Sequence, residues 1–126
     1  MVAPIIPGLN SMEILNIVKI IAEKGASSFG YTLVRLNDTV EPIFIDWLEE
    51  HYPDRRDKVL NQIASMHGGK LGEKNVAKRK RGEGNIADMI HTTFKIARQK
   101  YFDNKGIPEL RTDLFDGTKG EQLSLF

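Results

Sequence analysis

The sequence has no cysteine, and among its 126 residues only one tryptophan and five prolines. Without thiols the polypeptide can hold no disulfide framework, no thiolate zinc site, no cysteine nucleophile and no cysteine-ligated iron–sulfur cluster. A strong charge of either sign is also missing. The 18 Lys and Arg residues against 17 Asp and Glu leave a formal net charge of +1, which excludes a globally basic nucleic-acid binder and confines any such role to a local patch. No apolar run approaches the roughly 20 residues of a membrane span, and no basic region followed by an apolar core opens the chain. The expectation is a cytoplasmic chain with no membrane partner. His51, His67 and His91 are too scattered along the chain for a local metal motif, so no metal site is expected.

What is present is enough apolar residue, 40% of the total, for one domain with a core. Residues 2 to 6 form a short apolar run stopped by Pro7-Gly8 and read as a buried strand, although Pro4 removes a ladder donor. The run follows Met1 with no polar lead-in, as in a chain that begins in mid-domain. Asn10 with Glu13 resembles a capping box, and Ile14, Ile17, Val18 and Ile21 then recur at helical spacing until Gly25. Residues 29 to 36 are rich in aromatic and β-branched types and form a second strand. Strand, helix, strand predicts a parallel βαβ unit. Two parallel strands are too few to bury both faces, which points to missing neighbours and to an exposed strand edge open to self-association.

Beyond residue 37 the pattern becomes helical. Asp38 and Glu41 bracket a helix over 39–51 whose stripe of Val40, Ile43, Phe44, Trp47 and Leu48 reads as core packing. Pro53 opens a second helix, with Val59, Leu60 and Ile63 inward, that ends at Gly68-Gly69. Residues 68–84 carry glycines and cations without apolar periodicity and read as an exposed loop. Asn85 then caps a helix to about Phe102, and residues 107–126 read as a tail.

Four segments carry a family resemblance. They are Ala3-Pro4-Ile5-Ile6-Pro7-Gly8-Leu9-Asn10, Trp47-Leu48-Glu49-Glu50-His51-Tyr52-Pro53, Gly68-Gly69-Lys70 and Arg81-Gly82-Glu83-Gly84. Their order and spacing resemble the bacterial radical S-adenosylmethionine proteins similar to spore photoproduct lyase, the DNA repair photolyase-like branch. The first segment also partly matches the Gly-x-Ile-x-Gly-x-x-Glu strand end of radical S-adenosylmethionine enzymes generally. Ile6 and Gly8 fit that pattern, whereas Pro4 replaces its first glycine and Ser11 its glutamate.

The resemblance implies an α/β fold in which residues 1–37 are the last βαβ unit of a partial TIM-type (β/α) barrel. Residues 38–106 would be a helical C-terminal extension. It implies S-adenosylmethionine and an iron–sulfur cluster as cofactors of the longer family proteins, with Ile6, Gly8, Asn10 and Arg35 at the cofactor region, since barrel sites lie at the C-terminal ends of strands. Arg35 would bind a carboxylate or phosphate. The same residues also read as a turn glycine, a helix cap and a surface arginine. The family's Cys-x-x-x-Cys-x-x-Cys motif is absent, so this chain alone is expected to be catalytically inert and to hold none of these cofactors itself.

Two further segments suggest partners. Lys70, Lys74, Lys78, Arg79, Lys80 and Arg81 form the densest charge in the sequence, suited to the phosphates of DNA or equally to a solvated loop. Gln122, Leu123, Leu125 and Phe126 closely resemble the Gln-Leu-x-Leu-Phe peptide that docks bacterial proteins on the DNA sliding clamp, or else fold back on the chain's own core. The leading expectation is thus the C-terminal portion of a radical S-adenosylmethionine enzyme acting on nucleic acid. The rival is a non-enzymatic module binding nucleic acid or the clamp.

Overall fold

The computed structural model describes residues 1–72, 80–106, 108–109 and 111–114. Its elements run β1 (Val2–Ile5), α1 (Ile14–Glu23), β2 (Tyr31–Leu33), α2 (Glu41–His51), α3 (Arg56–Met66) and α4 (Asn85–Phe102). Short 3-10 turns at Ser11–Glu13 and Pro53–Arg55 lead into α1 and α3. The two strands pair in parallel, Val2 opposite Tyr31 and Ile5 opposite Leu33. The Val2 N–H donates to Gly30 O at 2.8 Å and the Val34 N–H to Ile5 O at 2.9 Å. The expected βαβ unit is therefore present, with a second strand shorter than residues 29–36.

Successive strand side chains point to opposite faces, and here that rule divides the core in two. Ile5 and Leu33 join Ile14, Val18, Ile90 and Phe94 beneath α1 and α4. Their neighbours Ile6 and Val34 join Leu48, Val59 and Ile63 beneath α2 and α3. Helices thus cover both faces of the two-stranded sheet, although the sequence pattern suggested that so small a sheet needed further strands.

The edge of β2 away from β1 is also in use. The Leu33 N–H donates to Lys80 O at 3.0 Å and the Leu36 N–H to Leu71 O at 2.9 Å. Both described ends of the 68–84 segment are accordingly hydrogen-bonded to the second strand and the residues that follow it. Strand amides left by a short sheet need acceptors, and the loop carbonyls provide them. The described ends of the expected exposed loop, residues 68–70 and 80–81, are indeed exposed, while their neighbouring carbonyls serve the β2 edge.

Local details depart from the sequence expectation in three more places. Asn10 does not cap through its side chain; it turns back on the strand end, as described below. Gly84, with φ 85°, occupies the N-cap of α4 and Asn85 is its first helical residue. On α2, Leu48 is fully buried and Phe44 packs beside it. Ile43 is 66% exposed and Trp47 38% exposed, with Val40 also on the surface. The stripe therefore overhangs the core, because α2 contacts the sheet side along one narrow row only.

Candidate functional site

The C-terminal ends of β1 and β2 lie at the same edge of the sheet, since the strands are parallel and Ile5 pairs with Leu33. At the end of β1, Pro7-Gly8 forces a tight turn. Leu9 and Asn10 N–H groups both donate to Ile6 O, at 3.2 and 3.1 Å. The Asn10 side chain closes the turn from the other side. Its Oδ1 accepts from the Ile6 N–H at 2.7 Å and its Nδ2 donates to Pro4 O at 3.1 Å. Gly8, at φ +79°, passes close to α3, where an added Cβ would lie 2.9 Å from Gln62 Oε1 and 3.2 Å from Val59 Cγ2. Ile6 packs in the core under α2 and α3. These three residues fix the shape of the strand end.

Beyond β2 the chain opens a groove of about 760 Å³. One wall is residues 35–38 with Glu41, and the other is His67 through Gly72. Arg35 lines it, as expected for a strand-end residue, and Lys70 stands on the opposite wall. Asp38 and Glu41 supply carboxylates, so both charge signs face one space. Gly72 lies hard against the Leu36 carbonyl, where a Cβ would collide. His67 is 4% exposed and its Nε2 sits 2.8 Å from Val34 O. A carbonyl only accepts, so Nε2 carries a hydrogen, while Nδ1 has no partner among the described residues. This bond ties the α3 end to the strand and holds the groove's second wall in place.

Of the expected cofactor-region residues, Arg35 lines the groove, whereas Ile6, Gly8 and Asn10 shape the end of β1 and do not line it. Of the expected basic residues, Lys70 lies in the groove wall and Lys80 and Arg81 close the loop at the other end of the β2 edge. Lys74, Lys78 and Arg79 lie outside the described residues, as do Gln122, Leu123, Leu125 and Phe126. The chain contains no cysteine, and among the described residues no group of three or more His, Asp or Glu is placed to hold a metal ion. Among the same residues, no helix is long and apolar enough to cross a membrane.

A second cluster was not singled out from the sequence. Tyr31 of β2 stacks on Phe94 of α4, with ring centroids 3.7 Å apart and planes 10° from parallel. Its hydroxyl lies 2.7 Å from His91 Nδ1, while His91 Nε2 lies 2.9 Å from Arg81 O. The carbonyl again fixes the hydrogen on Nε2, so in the neutral ring Nδ1 accepts the Tyr31 O–H. Burial pushes the Tyr31 phenol above its ordinary range, partly offset by the Arg81 and Arg98 guanidinium charges nearby. The spacing of His91, Lys95 and Arg98 on one helical face was visible in the sequence. The partnership with Tyr31, 60 residues away in the chain, was not. Comparison of the chain with family models, with curated proteins and with solved structures finds no match.

Proposed function

We propose that this chain is the C-terminal portion of a radical S-adenosylmethionine enzyme that acts on nucleic acid. The observation that carries the proposal is the parallel β1–α1–β2 unit with a groove, lined by Arg35, that opens just beyond the end of its second strand. A groove at the carboxyl ends of parallel strands is where barrel enzymes bind their ligands. Its mixed lining suits the amino-acid end of S-adenosylmethionine: Arg35 and Lys70 complement a carboxylate, and Asp38 and Glu41 an ammonium group. The volume of about 760 Å³ is ample for a nucleoside-sized ligand. The iron–sulfur cluster does not fit this chain, which lacks thiolates. In this reading the cluster-binding cysteines are supplied by preceding sequence.

The chain's own contribution is then positional. The Asn10 bridge and Gly8 hold the end of β1 against α3, and His67 holds the facing wall. The basic 70–81 segment would engage the nucleic-acid substrate, and the Gln122–Phe126 peptide would tether the enzyme to the sliding clamp. The test is to read the coding DNA upstream of Met1. An in-frame Cys-x-x-x-Cys-x-x-Cys segment is expected. An in-frame stop with no such segment upstream would leave the rival, a non-enzymatic binding module.

A further inference from the structure

A cleft of about 190 Å³ between β2 and α4 lies apart from the groove and is lined by Tyr31, His91, Phe94, Lys95 and Arg98. Its floor is rigid, because the Tyr31 ring is stacked on buried Phe94 and pinned through its hydroxyl to His91. Arg98 is held in advance: one guanidinium N–H donates to Phe29 O at 2.7 Å, and its centre lies 4.4 Å over the Phe29 ring. A guanidinium has five N–H donors, so this leaves donors to spare. Arg81 is delivered to the same place from the basic segment. Its carbonyl is fixed by His91 and the preceding carbonyl, of Lys80, by the Leu33 N–H.

Arg98 lines the cleft together with Tyr31, and Arg81 is tied to the same cluster by the bond of its carbonyl to His91 Nε2. Among the described residues, no carboxylate forms an ion pair with Arg81, Lys95 or Arg98. Asp88, one turn before His91 on the same helix, is the carboxylate that shares the stripe. Two cations, Lys95 and Arg98, thus line a small hollow, and Arg81 adjoins it through the bond of its carbonyl to His91. Cations kept together without counter-charges repel one another, and an anion with several acceptor oxygens relieves that repulsion.

We propose that this cleft binds a phosphate of a nucleic-acid strand, with Arg81, Lys95 and Arg98 as its cationic contacts and the Tyr31–Phe94 pair as its floor. The ligand class rests on the nucleic-acid reading above; the site does not include the groove.

Fluorescence anisotropy of the intact chain, titrated with salt against labelled single-stranded and duplex oligonucleotides, tests the proposal. The Arg81→Gln, Lys95→Gln double variant alters exposed side chains for which the structure shows no hydrogen bond. It is expected to flatten the log–log salt dependence by about 2, and to weaken binding about fifty-fold near 0.1 M salt. The His91 ring resonances should shift when oligonucleotide is added to the unmodified chain. A Lys74→Gln, Lys78→Gln, Arg79→Gln variant separates the two readings. If it abolishes binding while the cleft variant and the His91 signals are unaffected, the cleft proposal is overturned and the nucleic-acid reading stands. If the intact chain binds neither oligonucleotide, or binds anionic lipid vesicles instead, both are overturned.

Discussion

Gly72 shows how much a single position can decide. Its backbone lies against the Leu36 carbonyl so closely that a Cβ would collide, and the adjacent Leu71 carbonyl takes the Leu36 N–H at 2.9 Å. Gly72→Ala is expected to push the loop off the strand and to destabilise the chain by about 1–3 kcal/mol, the usual cost of overpacking. Gly106→Ala is the control, since nothing lies within 4 Å of its Cβ position. Urea unfolding with amide exchange at Leu36 measures both effects. Equal stability and equal Leu36 protection in the two variants would show that the groove wall does not depend on this contact. Residue roles of this kind were poorly legible in the sequence. His67 and His91 read as scattered, yet each is a polar clamp whose partners lie 33 and 60 residues away. Asn10 carried a legible local signal, but the orphaned amide of Ile6 competed for its side chain and won.

At the scale of elements, apolar periodicity located α1, α3 and α4 well, because each turns an i, i+3, i+4 stripe to the sheet. The same rule overstated α2, where the stripe is wider than the surface beneath it. Nor could periodicity show how α1 and α4 are fastened together. Lys105, just after α4, donates to Ala22 O at 2.5 Å and to Ala26 O at 3.0 Å, and lies 5.1 Å over the Phe102 ring. A cation on the carbonyl end of a helix satisfies orphaned acceptors and complements the helix dipole. Lys105→Met keeps the apolar stem and removes the donors, and is expected to lower stability by about 1–2 kcal/mol. Chemical denaturation of the two proteins measures the difference. A change below about 0.3 kcal/mol would mean that solvent already satisfies those carbonyls.

For the whole molecule, the sequence disclosed the parallel βαβ order and the helical remainder, since both follow from local patterns. It did not disclose that four helices cover both faces of two short strands, or that the basic segment ends on the strand edge. Those features depend on contacts between distant segments. They also place the groove, with Arg35, at one end of β2 and the cleft, with Lys95 and Arg98, beside the strand. In the proposed reading the cofactor and the nucleic-acid strand take separate sites that share no residues. The central claim is that this unit completes a radical S-adenosylmethionine enzyme. Its most direct measurement is methionine release from S-adenosylmethionine after anaerobic reconstitution with iron and sulfide under reducing conditions. The comparison is between the 126-residue chain and the longer protein encoded with its upstream reading frame. Release by the longer protein, its reduction by Arg35→Ala, and none by the short chain are expected; release by neither protein, or by both equally, would contradict the claim.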